Sequence, residues 1–134
     1  MQYWINLPIK DVKRSKKFFT EIGFLFNTER ETDTMISLMV GKAAMPIMFF
    51  EENVFEGVVH NKVSNTSKGT EMIISFDAES KKEVDEMAEK VKKAGGSVFS
   101  KPAEIQGWMY GFAFTDPDGH RWNMLYMDME KMPR

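Results

Sequence analysis

A chain of 134 residues, 43% hydrophobic and 28% charged, has the length and balance of one compact globular domain, which excludes a disordered or low-complexity protein. Its 18 basic and 20 acidic residues are spread along the chain and leave a net charge of −2, so there is no polyanion-binding footprint and no nucleic-acid partner is expected. The absence of cysteine removes disulfides, thiolate metal sites and a cysteine nucleophile.

No apolar run approaches the roughly 20 residues of a membrane helix, and Met1-Gln2-Tyr3-Trp4-Ile5-Asn6 has neither a basic start nor a long apolar stretch. No membrane partner and a cytoplasmic location are therefore the expectation. Twelve methionines are compatible with a malleable pocket, although filling irregular gaps in a core is their commoner use.

The first element is a strand, Ile5-Asn6-Leu7-Pro8-Ile9, with Ile5, Leu7 and Ile9 on one face and Trp4, Asn6 and Pro8 on the other. Asp11 is placed to cap a helix from Val12 to Ile22, whose Ser15, Phe18, Phe19 and Ile22 form one stripe, and Gly23 stops it. Short strands are predicted over Phe24 to Asn27, Thr34 to Val40 and Pro46 to Phe50, as in an antiparallel meander. From Glu51 to Gly69 no clear period emerges, which predicts a linker or a lid, with Phe50 and Phe55 at its entrance.

The pattern then begins again. A strand over Glu71 to Phe76 leads to Ser80-Lys81-Lys82-Glu83, a capping-box pattern, and to a helix with Val84, Met87, Ala88 and Val91 as its apolar stripe and Gly95-Gly96 as its stop. Strands over Ser97 to Ser100, Trp108 to Thr115 and His120 to Met127 follow. Between the last two lies Asp116-Pro117-Asp118-Gly119: Pro117 presets φ, the aspartates can bond nearby N–H groups, and Gly119 accepts positive φ. The final strand puts Arg121, Asn123 and Leu125 on one face and Trp122, Met124 and Tyr126 on the other.

Strand, helix and three strands are thus stated twice, and the two starts superpose within one position: Trp4 to Asp11 is seven residues, Glu71 to Asp77 six. The predicted fold is α+β, a single domain of two repeated βαβββ modules at about 1–52 and 70–128 joined by a segment at about 53–69, with the site on the concave surface between their sheets.

This order, with the blocks Asn6-Leu7-Pro8-Ile9-Lys10-Asp11, Phe18-Phe19-Thr20 with Ile22-Gly23-Phe24, and Phe112-Ala113-Phe114-Thr115-Asp116-Pro117-Asp118-Gly119-His120-Arg121-Trp122, resembles the vicinal-oxygen-chelate superfamily. That superfamily includes glyoxalase I, bleomycin-resistance proteins, fosfomycin-modifying enzymes and extradiol dioxygenases. The resemblance covers nearly the whole chain and is most specific in the Asp-Pro-Asp-Gly block. It implies curved sheets forming a cup, often completed as a homodimer.

The resemblance also implies four inward-facing ligand positions, held by His and Glu in the metal enzymes. They fall here on Trp4, on Met48 or Met45, on Glu71 and on Asn123. Indole offers only an N–H donor and thioether is a soft, weak ligand, so Glu71 is the one good hard donor and Asn123 adds a neutral oxygen. His60 and His120 lie elsewhere. No cofactor is expected, with a divalent metal kept as the alternative.

The reading that follows is a cup that binds a small organic molecule without metal, of the bleomycin-resistance type. Its candidate ligand-binding residues are Trp4, Asn6, Met48, Phe50, Glu71, Trp108, Tyr110 and Asn123, with Glu71 the candidate for proton transfer. Trp108, Tyr110, Phe112 and Phe114 share a strand face that lines the pocket or packs under a helix. Two alternatives stay open: a metal-dependent lyase, isomerase or dioxygenase of the glyoxalase type, and an interaction domain whose cup is filled and inactive.

Overall fold

A computed structural model describes residues 1–134 and divides them into two compact units, Met1–Gly69 and Thr70–Arg134. Unit 1 runs β1 (Ile5–Ile9), α1 (Val12–Glu21), β2 (Leu25–Phe26), β3 (Met35–Val40), β4 (Met45–Glu51) and α2 (Glu52–Val59). Unit 2 runs β5 (Ile73–Asp77), α3 (Lys81–Lys93), β6 (Ser97–Ile105), β7 (Met109–Thr115) and β8 (Arg121–Met127). Each unit holds one four-stranded sheet of the same plan, ordered β1-β4-β3-β2 and β5-β8-β7-β6, so the doubled βαβββ architecture expected from the sequence is present.

In both units the first strand pairs in parallel with the last and the remaining pairs are antiparallel. The helix between first and second strands supplies the crossover that parallel pairing requires. In unit 1, Asp11 caps α1 by accepting from the N–H groups of Lys13 and Arg14. The stripe Ser15, Phe18, Phe19 and Ile22 is buried, and Phe19 stacks on Phe49 of β4 with centroids 5.5 Å apart. Ile36, Leu38, Ile47 and Phe49 are thereby the α1-facing side of the sheet, and the intervening residues Ser37, Met48 and Phe50 take the other side.

Unit 2 repeats the construction. Ser80 Oγ accepts from the Glu83 N–H at 3.1 Å, and Glu83 reaches back to the N–H of Glu79 at 2.7 Å, one residue before the cap. Val84, Ala88 and Val91 of α3 are buried, as are Phe76, Phe112, Phe114, Trp122 and Met124 of the sheet. Phe114 and Trp122 stack nearly parallel, 8° apart, and Phe76 meets both edge-on.

The turn before β8 is fastened by one side chain. Asp116 is buried; its Oδ1 accepts from the N–H groups of Asp118 (2.9 Å) and His120 (3.0 Å), and its Oδ2 from the Trp122 indole N–H (3.1 Å). Gly119 takes the expected left-handed conformation, φ 84°, and donates to the Asp116 carbonyl. Burial is the largest influence on this carboxyl and raises its pKa to about 6, against the opposing effects of the His120 charge and the Trp122 hydrogen bond.

Four elements differ from the sequence expectation. The segment from Glu51, expected to be a linker or lid, opens with helix α2. Its start carries no side-chain cap, Gly57, a poor helix former, lies within it, and its stop is His60 in a left-handed conformation where glycine is the usual signal. The strand expected from Phe24 to Asn27 shrinks to two residues because Asn27 instead caps a 3₁₀ turn, Thr28–Arg30, accepting from the Glu29 N–H. Strand β6 continues past Pro102 to Ile105, which its edge position and its irregular register around Ser100 allow. Strand β5 begins at Ile73, leaving Glu71 in the bend before it.

Two stability outcomes follow. A Cβ on Gly111, in the middle of β7, would lie 2.5 Å from the Met124 carbonyl oxygen and 2.6 Å from Leu125 Cδ2. Because one obstacle is backbone, Gly111→Ala is expected to cost about 1–3 kcal/mol in urea unfolding. Asp116 binds a proton more readily in the folded chain than in the unfolded one, so its share of stability is full below about pH 4 and is lost as pH rises through about 6. Asp116→Asn is expected to flatten that fall between pH 4 and 7 in urea midpoints measured across the range. Having one acceptor oxygen for three donors, it also lowers stability at every pH, by about 1–3 kcal/mol.

Candidate functional site

The side of the unit 2 sheet turned away from α3 is fixed by strand alternation. Trp122 and Met124 face α3, so Arg121, Asn123 and Leu125 face the other way. The parallel register sets Ser75 beside Asn123 and Ile73 beside Arg121, while the antiparallel register sets Ala113 and Thr115 on the far side of the same rows. Ser75 Oγ donates to Asn123 Oδ1 at 2.5 Å. Asn123 is half-buried, and with its oxygen engaged its amide nitrogen remains as a donor.

Arg121 is half-buried on the same side, its guanidinium carbon 4.4 Å from the centre of the Phe99 ring. Its Nε is buried without a hydrogen-bond partner. Phe99 lies where the β6 register is irregular and, like Ile73, is exposed. Alternation in the sequence puts Arg121 on the Asn123 face without assigning it a role. Ser75 and Phe99 carry no sequence signal of their own, because only the cross-strand arrangement brings them to the two polar residues.

Unit 1 has an equivalent row. Asn6 of β1, Met48 of β4 and Ser37 of β3 are register partners on the side away from α1, so Met48 occupies in unit 1 the place that Asn123 occupies in unit 2. The pairing settles the register, with Met48 in this row and Met45 two-fifths exposed opposite Val40. Asn6 is exposed, whereas Met48 and Ser37 are buried and Ser37 Oγ has no hydrogen-bond partner. Phe50 is half-buried on this side, opposite Pro8 and Met35.

Trp4 and Glu71 each stand just before the first strand of their unit, and both are exposed. Tyr110 belongs to the opposite side of its sheet: its hydroxyl donates to Asp85 of α3 at 2.7 Å, which raises its pKa, and the Lys81 ammonium lies 5.6 Å from its ring centre. Phe112 and Phe114 share that alternation and are core. Trp108 sits half-buried in the turn before β7, with its carbonyl accepting from the Asp128 N–H. His120 belongs to the turn and His60 ends α2.

The donor set does not fit a chelated divalent metal. Of the four positions that the family resemblance assigns to ligands, Trp4 offers no lone pair, Met48 offers a buried thioether, and the Asn123 oxygen is engaged by Ser75. No three His, Cys, Asp or Glu side chains are grouped to hold a metal ion.

The sequence profile of the Glyoxalase/Bleomycin resistance protein/Dioxygenase superfamily matches residues 3–124, and the chain belongs to that superfamily. Among solved structures, a hypothetical protein from S. aureus is 32% identical over 94% of this chain and 93% of its own, with a TM-score of 0.84. A glyoxalase-related enzyme from Fulvimarina pelagi shares the fold at 20% identity and a TM-score of 0.80, covering 94% of this chain and 87% of that one. A genomically encoded fosfomycin resistance protein from Listeria monocytogenes does so at 20% identity and a TM-score of 0.67, covering 97% and 95%. No curated protein matches the sequence. No helix is long and apolar enough to cross a membrane.

The hydroxyl–amide pair has a measurable worth. In a double-mutant cycle of Ser75→Ala and Asn123→Leu, read by chemical unfolding, a coupling of about 1 kcal/mol is expected. In the Ser75→Ala protein the Asn123 side-chain amide signals in an NMR spectrum should move toward free-asparagine values.

Proposed function

We propose that this protein binds a small organic molecule in a cup without a resident metal, a binding or sequestering role of the bleomycin-resistance type, as a cytoplasmic homodimer. The residues assigned to ligand contact are Asn123, as a hydrogen-bonding group, and Trp4, Asn6, Met48, Phe50, Glu71 and Trp108. One observation carries the reading: the family's ligand positions hold an indole, a thioether, a single carboxylate and an amide, which suit apolar and hydrogen-bonding contact and cannot together replace a metal's water shell. Tyr110 is left out of this set because its hydroxyl is engaged with Asp85.

Protein purified without chelators should carry Ni, Zn, Fe and Mn far below one equivalent when its metal content is measured. Near-stoichiometric content of any of these would overturn the metal-free reading. A panel of small aromatic compounds should raise the melting temperature, and sedimentation should give about twice the 15.5 kDa chain mass. A mass near 15.5 kDa would reject the dimer alone.

A second reading is favoured by the burial of Met48 and Ser37 in unit 1. If both faces are packed in this way, the chain is an interaction domain with a filled cup, and no compound in the panel shifts its melting.

A further inference from the structure

We infer that the molecule held on the α3-free face of unit 2 carries an oxyanion, a carboxylate or a phosphonate-type group, and that Arg121 binds it. This assignment rests on the small-molecule reading above and names the ligand class for the same face.

The first support is an uncompensated charge. Arg121 is half-buried and is placed by strand alternation on the Asn123 face. Its side chain packs on the Phe99 ring; it makes no ion pair, and its Nε has no hydrogen-bond acceptor. A buried donor without an acceptor is costly, and a guanidinium is the group whose planar fork matches carboxylate and phosphate oxygens. The guanidinium carbon lies 4.4 Å from the centre of the Phe99 ring, a contact that uses the face of a guanidinium, whereas an oxyanion is taken by its N–H groups. Packing on Phe99 gives the residue a structural use but leaves Nε without an acceptor.

The second support is the polarity of the neighbouring residue. Ser75 donates to the Asn123 oxygen, so the acceptor end of the amide is occupied and the donor end is presented. Two positions apart on β8, Arg121 and Asn123 therefore both offer N–H groups. A cation would meet no acceptor from either. Of the acidic residues nearby in sequence, Asp77 stands opposite Leu125, four residues from Ile73, the register partner of Arg121, and Glu71 precedes the strand in an exposed bend. Phe99 and Ile73, both nearly half exposed, give the ligand's apolar body a surface beside the charge.

The test uses four probes that share a ring and differ in their head group: benzoate, phenylphosphonate, benzyl alcohol and benzylamine. Each is titrated into full-length protein while the Arg121 Nε–H and Asn123 side-chain amide signals are followed by NMR. Benzoate or phenylphosphonate is expected to move both signals, and whichever binds more tightly identifies the oxyanion. Arg121→Gln should weaken that probe by about tenfold or more, as for a charge-assisted hydrogen bond, and leave benzyl alcohol unchanged. Arg121→Lys, run in parallel with thermal unfolding to verify folding, keeps the charge and loses the fork, and a several-fold loss is expected. If Arg121→Gln does not fold, that loss decides the matter.

Equal anion affinity in the variants would overturn the role of Arg121. Benzyl alcohol or benzylamine moving the Asn123 signals while neither anion does would overturn the oxyanion assignment and leave the small-molecule reading standing. No movement on this face with any of the four probes would overturn the assignment. If the wider panel also leaves melting unchanged, the reading beneath it falls too.

Discussion

The carboxylate of Asp116 takes one indole N–H and two backbone N–H groups in a buried turn, and the face that each β8 side chain presents depends on that arrangement. With Trp122 tied to the turn that precedes its strand, alternation sends Trp122 and Met124 toward α3 and Arg121 and Asn123 away from it. A slip of one residue would press a guanidinium and an amide into an aromatic core and expose the indole, at a cost well above that of any single hydrogen bond. Parallel pairing of β5 with β8 then carries the register outward and sets the Ser75 hydroxyl on the Asn123 oxygen. The turn that precedes β8 thus decides which side chains each side of the sheet offers.

The internal repeat provides a comparison within the one chain. Asn6 pairs with Met48 as Ser75 pairs with Asn123, so the same place in the same sheet plan holds a thioether in unit 1 and an amide in unit 2. Both units keep the strand order with either side chain, so the fold places no demand on that position. The two solutions differ in kind. Unit 1 buries its residue beside Ser37, while unit 2 leaves a polar pair in which Asn123 is half-buried and Ser75 exposed. The hydrogen-bonded polar pair at this position is accordingly found in unit 2.

Most of the fold was legible because its signals are local. Asp11, Ser80, Gly23 and the turn at Asp116 to Gly119 are caps and stops whose chemistry acts within a few residues. Helix α2 was not legible, since Glu51 makes no side-chain cap and His60 takes the left-handed stop. Strand ends were blurred where a side chain changes partner, as Asn27 does by capping a turn. At the site, alternation correctly put Arg121 with Asn123, but the partners that give them meaning lie elsewhere in the sequence. Ser75 is 48 residues from Asn123, and Phe99 meets Arg121 only through an irregular edge strand. Tyr110 shows the converse: alternation grouped it with Phe112 and Phe114 and left their face undecided until its bond to Asp85 placed them under α3.

Proton transfer makes a demand that simple binding does not. A general base must be held within hydrogen-bond reach of the proton it removes, by a backbone and neighbours that fix its rotamer. Glu71, the carboxylate nearest to meeting that need by sequence, precedes β5 in an exposed bend, where no strand ladder holds it. Arg121 and Asn123 are held, one under an aromatic ring and one by a hydroxyl, and both donate. The groups held in place on this face are therefore hydrogen-bond donors, whereas the Glu71 carboxylate lies outside the strand ladder. That distribution favours holding a molecule over transforming it.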